Sequence, residues 1–421
     1  MHALIKILKG EFHSYTAKQT YLLYASQLLG MLLSGFTYYL LAKHLSKEAF
    51  GDRELILKIV TFMLNFFEFG IFTAGSRLLA IERNRQVERQ IVSGLMFIGL
   101  GIALSFAVVL MLLGLFIDTL FKTNQDLTLI VVCFSLPLSF SVFTFFFQLI
   151  YQGTNEILKL SFFNFVPRFG HVVLLVAWLL FDELTLLTSL SLYSIVTVVV
   201  TLALILKASP SLQAWKACKA ILINETKQYG LPVYLGRLIG MTAYNLDSLI
   251  LATCFGSNAV GNYAIMMFFV TPISAFSDAF LSASFKRMAG HRKISKDVYW
   301  INFLGLAGLT TAYFFIGPSV FGLVFQKYRE SLLLMYPLAV AMLITGLTKP
   351  YNAFLSIMGE GKKLQGTAIA LAISSTLLNF SLIPAFAEIG AALASVCVVT
   401  INLIVHIILY KLSIREKEYV S

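Results

Sequence analysis

Residues 91–117, IVSGLMFIGLGIALSFAVVLMLLGLFI, contain no charged side chain. As a helix, a run of this length crosses a hydrocarbon core of about 30 Å. Residues 185–206 form a second uncharged run of spanning length. Both are too long for the strands of a membrane barrel, which need about 9–11 residues. Lipid offers backbone amides no partner, so each run satisfies its own as a helix. The same texture fills the chain, which is 58% hydrophobic and 13% charged, against about 25% charged in soluble domains. The fold class that follows is an all-α polytopic membrane protein.

Twelve spans are predicted. They run over 21–42, 54–76, 91–117, 127–150, 160–181, 185–206, 229–253, 261–284, 298–321, 332–357, 366–386 and 389–410. Spans 7 and 8 share an uncharged run, divided by a turn at Gly256-Ser257-Asn258 and Gly261-Asn262. With the N-terminus in the cytoplasm, 22 Lys and Arg fall in cytoplasmic segments and 6 in external ones. The positive-inside rule therefore predicts that both termini are cytoplasmic. Residues 1–19 carry Lys6, Lys9 and Lys18 with no short leader-like core, so span 1 is expected to remain as a helix. Cys133, Cys218, Cys254 and Cys397 have no metal-ligand spacing and read as small hydrophobes. The longest loop, 207–228, separates an N-terminal lobe (1–206) from a C-terminal lobe (229–421), with six spans in each.

The two lobes repeat each other at an offset of 210 residues. Tyr24 aligns with Tyr234, Leu28 with Leu238, Gly30 with Gly240 and Met31 with Met241. Leu41-Ala42 aligns with Leu251-Ala252, Ala49 with Ala259, Gly51 with Gly261 and Arg77 with Arg287; the acid Glu68 aligns with Asp278. An even number of spans per repeat makes the repeat parallel, with a pseudo-twofold axis along the membrane normal.

Charge inside the spans is sparse and therefore informative, since one at the bilayer centre costs roughly 2.5–3.5 kcal/mol. Span 7 places Arg237, Gly240, Tyr244 and Asp247 on one helical face. Span 2 does the same with Lys58, Thr61, Asn65 and Glu68, and span 5 with Asn164, Arg168 and His171. Span 8 carries Thr271, Ser274 and Asp278, and Lys349 stands directly before Pro350 in span 10. The plainer role for such groups is to pair with one another or to snorkel to an interface. The sharper role is a cavity between the lobes, lined by Arg168, Arg237 and Lys349, with Lys58, Asn164 and Tyr244 nearby. Such a cavity attracts an anion, and arginine suits phosphate oxygens through paired hydrogen bonds. Asp247, Asp278 and Glu68 then become candidates for a coupled proton or cation. His171 and His406 are read as hydrogen-bonded structural groups. Pro137, Pro167, Pro232, Pro272, Pro350 and Pro384 are expected to mark helix breaks.

No GxxxxGK[ST], HExxH, GxSxG or paired-cysteine motif is present, and no external loop is large enough for a catalytic domain. An enzyme, nucleic-acid binding and a bound cofactor are not expected.

Several stretches carry a family resemblance. They are LAKHLSKEAFG (41–51), GSRLLA (75–80), YQGTNEILK (151–159), LDSLILATCFGSNAVGNYA (246–264) and MGEGKKLQG (358–366). In order on twelve spans, they make the chain resemble Wzx-type O-antigen flippases of the MOP superfamily, which also holds MATE drug exporters and lipid II flippases. Twelve spans favour the O-antigen class over the fourteen of lipid II flippases. The resemblance implies export of an undecaprenyl-diphosphate-linked oligosaccharide across the bacterial inner membrane, by alternating access driven by H+ or Na+. A polysaccharide polymerase and a chain-length regulator are implied partners, beside membrane lipids. A cation site known among helices 7, 11 and 12 of some relatives would correspond to Asp247, Asn379 and Thr400. A MATE-like small-molecule exporter is the alternative, disfavoured by the excess of intramembrane Lys and Arg. A lipid-linked sugar polymerase is the third class, disfavoured by the short loops.

Overall fold

The structure is a computed structural model. It describes residues 15–420 apart from 124, 155, 244–245, 290–292 and 359, with no side-chain description at some further positions, including 236, 239–243 and 282–287. The described residues are helical and contain no strand. Among the described residues eight helices are long and apolar enough to cross a membrane, and two shorter apolar ones are Ile71–Ile81 and Leu246–Phe255. The all-α class is borne out, and each of the twelve predicted spans falls on helical residues, several of them on two consecutive helices.

The chain resolves into two compact units. The first comprises Met1–Leu45, Met63–Ile117 and Asp126–Leu235; the second comprises Ser46–Phe62, Asp118–Gln125 and Gly236–Ser421.

The first unit holds α1 (Tyr15–His44), the last two residues of α2 (Lys47–Leu64), α3 (Ile71–Ile81) and α4 (Arg85–Gly114). Span 2 was predicted as one helix over 54–76; instead α2 stops at Leu64 and α3 starts at Ile71. Phe69 and Gly70 between them adopt left-handed φ values of 50° and 72°, which an α-helix cannot contain. A β-carbon on Gly70 would also strike the backbone of Gly230. Asn84 caps α4 by accepting from the Gln86 N–H. After the four-residue α5 (Ile117–Leu120), span 4 becomes α6 (Thr128–Ser139) and α7 (Val142–Gly153). They meet just after Pro137, where the Phe140 N–H bonds the Pro137 carbonyl in a tighter turn.

Then come α8 (Ile157–Leu179) and α9 (Leu186–Ala208), the latter opened by a Thr185–Thr188 capping box. The connecting stretch is helical where a loop was expected. Ser211 caps α10 (Leu212–Glu225), and a π-turn over Thr226–Gly230 leads into α11 (Leu231–Ala243). Cys218 and Leu222 are the buried face of α10, so packing rather than overall polarity makes it a helix. Burial raises the Cys218 thiol above the ordinary cysteine pKa.

The second unit contains residues 47–62 of α2, 118–120 of α5 and 236–243 of α11, with α12 (Leu246–Phe255), α13 (Ser257–Ala289), α14 (Lys296–Phe315), α15 (Gly317–Val324), α16 (Leu332–Ile357) and α17 (Gly361–Val420). Spans 11 and 12 lie in α17, where Ala387 at φ 51°, ψ −133° reverses the chain and brings Gly390 against the Leu382 carbonyl. The expected breaks at Pro167, Pro272 and Pro350 do not occur, as each lies inside a continuous helical run, whereas Pro384 stands three residues before the reversal at Ala387. Pro232 lies in the first turn of α11, where a missing N–H costs nothing. At Pro350 the lost hydrogen bond would have gone to the Gly346 carbonyl. That oxygen accepts instead from Ser277 Oγ (2.9 Å) and Asn302 Nδ2 (3.2 Å), and the helix survives.

Candidate functional site

In the first unit the candidate cation is Arg168, midway along α8. Its guanidinium lies over Gly30 of α1, so closely that a β-carbon there would collide with Nη1. The side chain remains exposed, and among the described residues no hydrogen bond or ion pair satisfies it. Asn164, one turn earlier, is half-buried, while His171 is buried edge-on to Tyr193. A guanidinium at this depth offers planar donors to oxyanions. Glu68, in the break between α2 and α3, is buried and accepts from Thr73 Oγ1 at 2.6 Å. Arg77 closes the end of α3 onto the connector, with Glu225 at 2.6 Å and the Tyr229 ring at 4.5 Å.

In the second unit Lys349 and Asp278 come together, Nζ to Oδ2 at 2.5 Å, and Lys349 also donates to the Ser274 carbonyl at 3.0 Å. Sequence reasoning had given these two residues separate roles. Lys58 is half-buried on α2 with no side-chain partner among the described residues, and Arg237 is half-buried on α11. Tyr244 lies outside the described residues, so the single-face arrangement of span 7 is described only for its two flanking helices.

Asp247, in the first turn of α12, accepts from the Ser248 N–H at 2.6 Å through Oδ1 and from the Tyr263 hydroxyl at 2.8 Å through Oδ2. Tyr263 is buried, and its hydroxyl also lies 3.0 Å from Ser395 Oγ of α17. This three-element relay was not foreseen: a tyrosine 16 positions from an aspartate across a turn carries no periodic signal. Asn379 is buried; its Nδ2 donates to Ser375 Oγ at 3.0 Å, while Oδ1 has no donor among the described residues. Thr400 returns its hydroxyl to the Val396 carbonyl at 2.7 Å. No described hydrogen bond joins Asp247 to Asn379 or Thr400.

A second group missed from sequence lies at the start of α2, which was read as an external turn. Asp52, Arg53 and Glu54 are all buried. Arg53 pairs with Glu54 at 2.7 Å, and Asp52 accepts from Ser257 Oγ. Lys47 pairs with Glu330 at 2.5 Å and lies over the Tyr328 ring. The side chains are charged, but 257–262 and 328–331 close over them.

The family described as polysaccharide biosynthesis protein matches residues 16–289. No curated protein sequence matches the chain. Among solved structures the chain is similar to lipid II flippase MurJ in an inward closed conformation, with a TM-score of 0.74, 13% identity, and 93% of this chain and 87% of that one covered. It is also similar to an inward-facing multidrug resistance MATE family transporter of the MOP superfamily, with a TM-score of 0.69, 15% identity, and 93% and 96% covered. A MOP superfamily transporter from Pyrococcus furiosus, whose binding pocket is described as of reverse polarity, gives a TM-score of 0.60 at 13% identity, with 94% of each chain covered. At these identities the likeness establishes the fold.

Proposed function

The chain belongs to the polysaccharide biosynthesis protein family, and on that premise we propose that it is a flippase for a lipid-linked oligosaccharide. Its cargo is an undecaprenyl-diphosphate-linked repeat unit, of O-antigen or a similar polysaccharide, moved from the cytoplasmic to the periplasmic leaflet of the bacterial inner membrane. Both termini face the cytoplasm. The observation that carries this reading is Arg168, an exposed guanidinium in mid-span without a partner among the described residues. A cation left unneutralised in lipid is costly, so the diphosphate supplies the missing partner during passage. Lys349 has a carboxylate of its own and serves the cargo less directly. Lys58, Asn164, Arg237 and Tyr244 complete the proposed substrate set.

Asp247 is the proposed coupling carboxylate, for H+ or Na+. Tyr263 and Ser248 donate to it, and an arriving cation displaces the Tyr263 hydroxyl. Asn379 and Thr400 offer neutral oxygens for Na+; Glu68 and Asp278 are secondary candidates. A polymerase and a chain-length regulator receive the product.

Deleting the gene tests the reading. Lipid-linked repeat units should accumulate in the cytoplasmic leaflet, out of reach of an impermeant glycosidase. Accumulation in the outer leaflet would assign the protein to a later step.

A further inference from the structure

The first unit contains a cavity of about 1630 Å³ that none of the proposed transport residues lines. It lies where α4, α7, α8, α9 and the connector α10 converge, at the end that the charge distribution places in the cytoplasm. Its wall has two characters. Phe162, Val166 and Val199 line one side and are 64%, 40% and 60% exposed, so it opens to hydrocarbon between α8 and α9. Arg85, Arg89 and Lys207 line the other. All three are exposed, with no partner among the described residues.

A fourth lining cation, Lys159, is held by Glu156. Glu88 is the other acid in the lining, so cations exceed acids by four to two. The positive end of the α4 dipole, capped at Asn84, adds to the same field. The floor is tied down: Ser93 Oγ donates to the Ser209 carbonyl at 2.7 Å, and Gly94 admits the Cys218 sulfur.

We propose that this cavity is a binding site for a resident anionic glycerophospholipid. Its phosphate lies among Arg85, Arg89 and Lys207, and one acyl chain lies along Phe162, Val166 and Val199. A free phosphate would leave the apolar wall unfilled, and a neutral lipid would leave three guanidinium or ammonium groups unanswered. Arg168 and Asn164 are absent from its lining, so the occupant is assigned as a bound lipid and not the cargo.

The purified protein in nanodiscs of phosphatidylcholine with phosphatidylglycerol provides the test, with retained lipid counted by native mass spectrometry. Wild type should keep one phosphatidylglycerol preferentially. Arg85→Gln with Arg89→Gln and Lys207→Gln should weaken that preference by about tenfold or more, each cation near a membrane surface contributing to anionic-lipid attraction. Lys216→Gln with Lys219→Gln and Lys227→Gln, an equal charge change on residues outside the lining, should not. A Phe162→Trp reporter that keeps every cation should be quenched by phosphatidylglycerol with brominated chains. Equal retention by the two triple variants would overturn the site, as would an unquenched reporter. Wild type that prefers a polyprenyl diphosphate over phosphatidylglycerol, with the preference lost in the first triple variant, would also overturn it and give the cavity to the cargo.

Discussion

Arg168 can sit at mid-span because α1 presents Gly30 beneath it; any β-carbon there would push the guanidinium away. Arg168→Ala is expected to abolish surface polysaccharide at unchanged protein level, and Arg168→Lys to restore part of it, since charge survives without the planar fork. Gly30→Val should resemble Arg168→Ala despite leaving every charge in place. Losing a hydrogen bond to a charged group costs about 1.5–3 kcal/mol, on the order of tenfold or more in cargo affinity. Immunoblot alongside polysaccharide staining reads all three, and normal export by Gly30→Val would separate the guanidinium's position from function. At Asp247, replacement by Asn keeps the shape but removes the carboxyl group to which Tyr263 and Ser248 donate. Export by Asp247→Asn should no longer respond to an imposed H+ or Na+ gradient; an unchanged response would remove Asp247 from coupling. Arg168 and Asp247 were legible in the sequence because charge in an apolar run stands out. Tyr263 and Ser395 were not, because only the packing of three helices brings them to Asp247.

Among the elements, the spans were legible from hydropathy, and the interruptions after Pro137 and Pro384 from their prolines, while others were not. The break between α2 and α3 depends on left-handed Phe69 and Gly70, and hydropathy cannot register a change of φ. The converse error came from proline, whose local effect is cancelled when distant groups such as Ser277 and Asn302 satisfy the freed carbonyl. A β-carbon on Gly261 would lie 3.0 Å from the Gly51 Cα, so the two glycines that align in the sequence meet within the second unit. In contrast, Glu68 and Asp278 have different partners. For the Lys349–Asp278 pair, Lys349→Met alone should lower the amount of protein in the membrane, because it leaves a carboxylate within a span without its ion pair. Adding Asp278→Asn should recover it. Recovery of protein without recovery of export would return Lys349 to the cargo path. Orientation is tested by single cysteines in a background without the four native ones. Those at 122, 258 and 327 should react with an impermeant reagent from outside, and those at 85 and 216 only after permeabilisation. Ser257 is unsuitable, being buried against Asp52; Asn258 beside it is exposed. External reaction at 85 would reverse the orientation.

For the whole molecule, family membership and fold agree with a chain that is almost entirely membrane helix and carries few charges within it. The cargo's chemistry is the part least written in the sequence: arginines signal an oxyanion, but the sugars they accompany leave no pattern in a string of apolar residues. The proposed function comes down to one cationic path that carries a diphosphate-linked oligosaccharide between leaflets. Reconstitution tests it most directly, with the purified protein in liposomes loaded with undecaprenyl-diphosphate oligosaccharide and the sugar's exposure followed with an impermeant glycosidase. Under an H+ or Na+ gradient, wild type should expose the protected half of the oligosaccharide, while Arg168→Ala and Arg237→Ala should leave it protected. Exposure by the variants at the wild-type rate, or none by wild type under either gradient, would contradict the account.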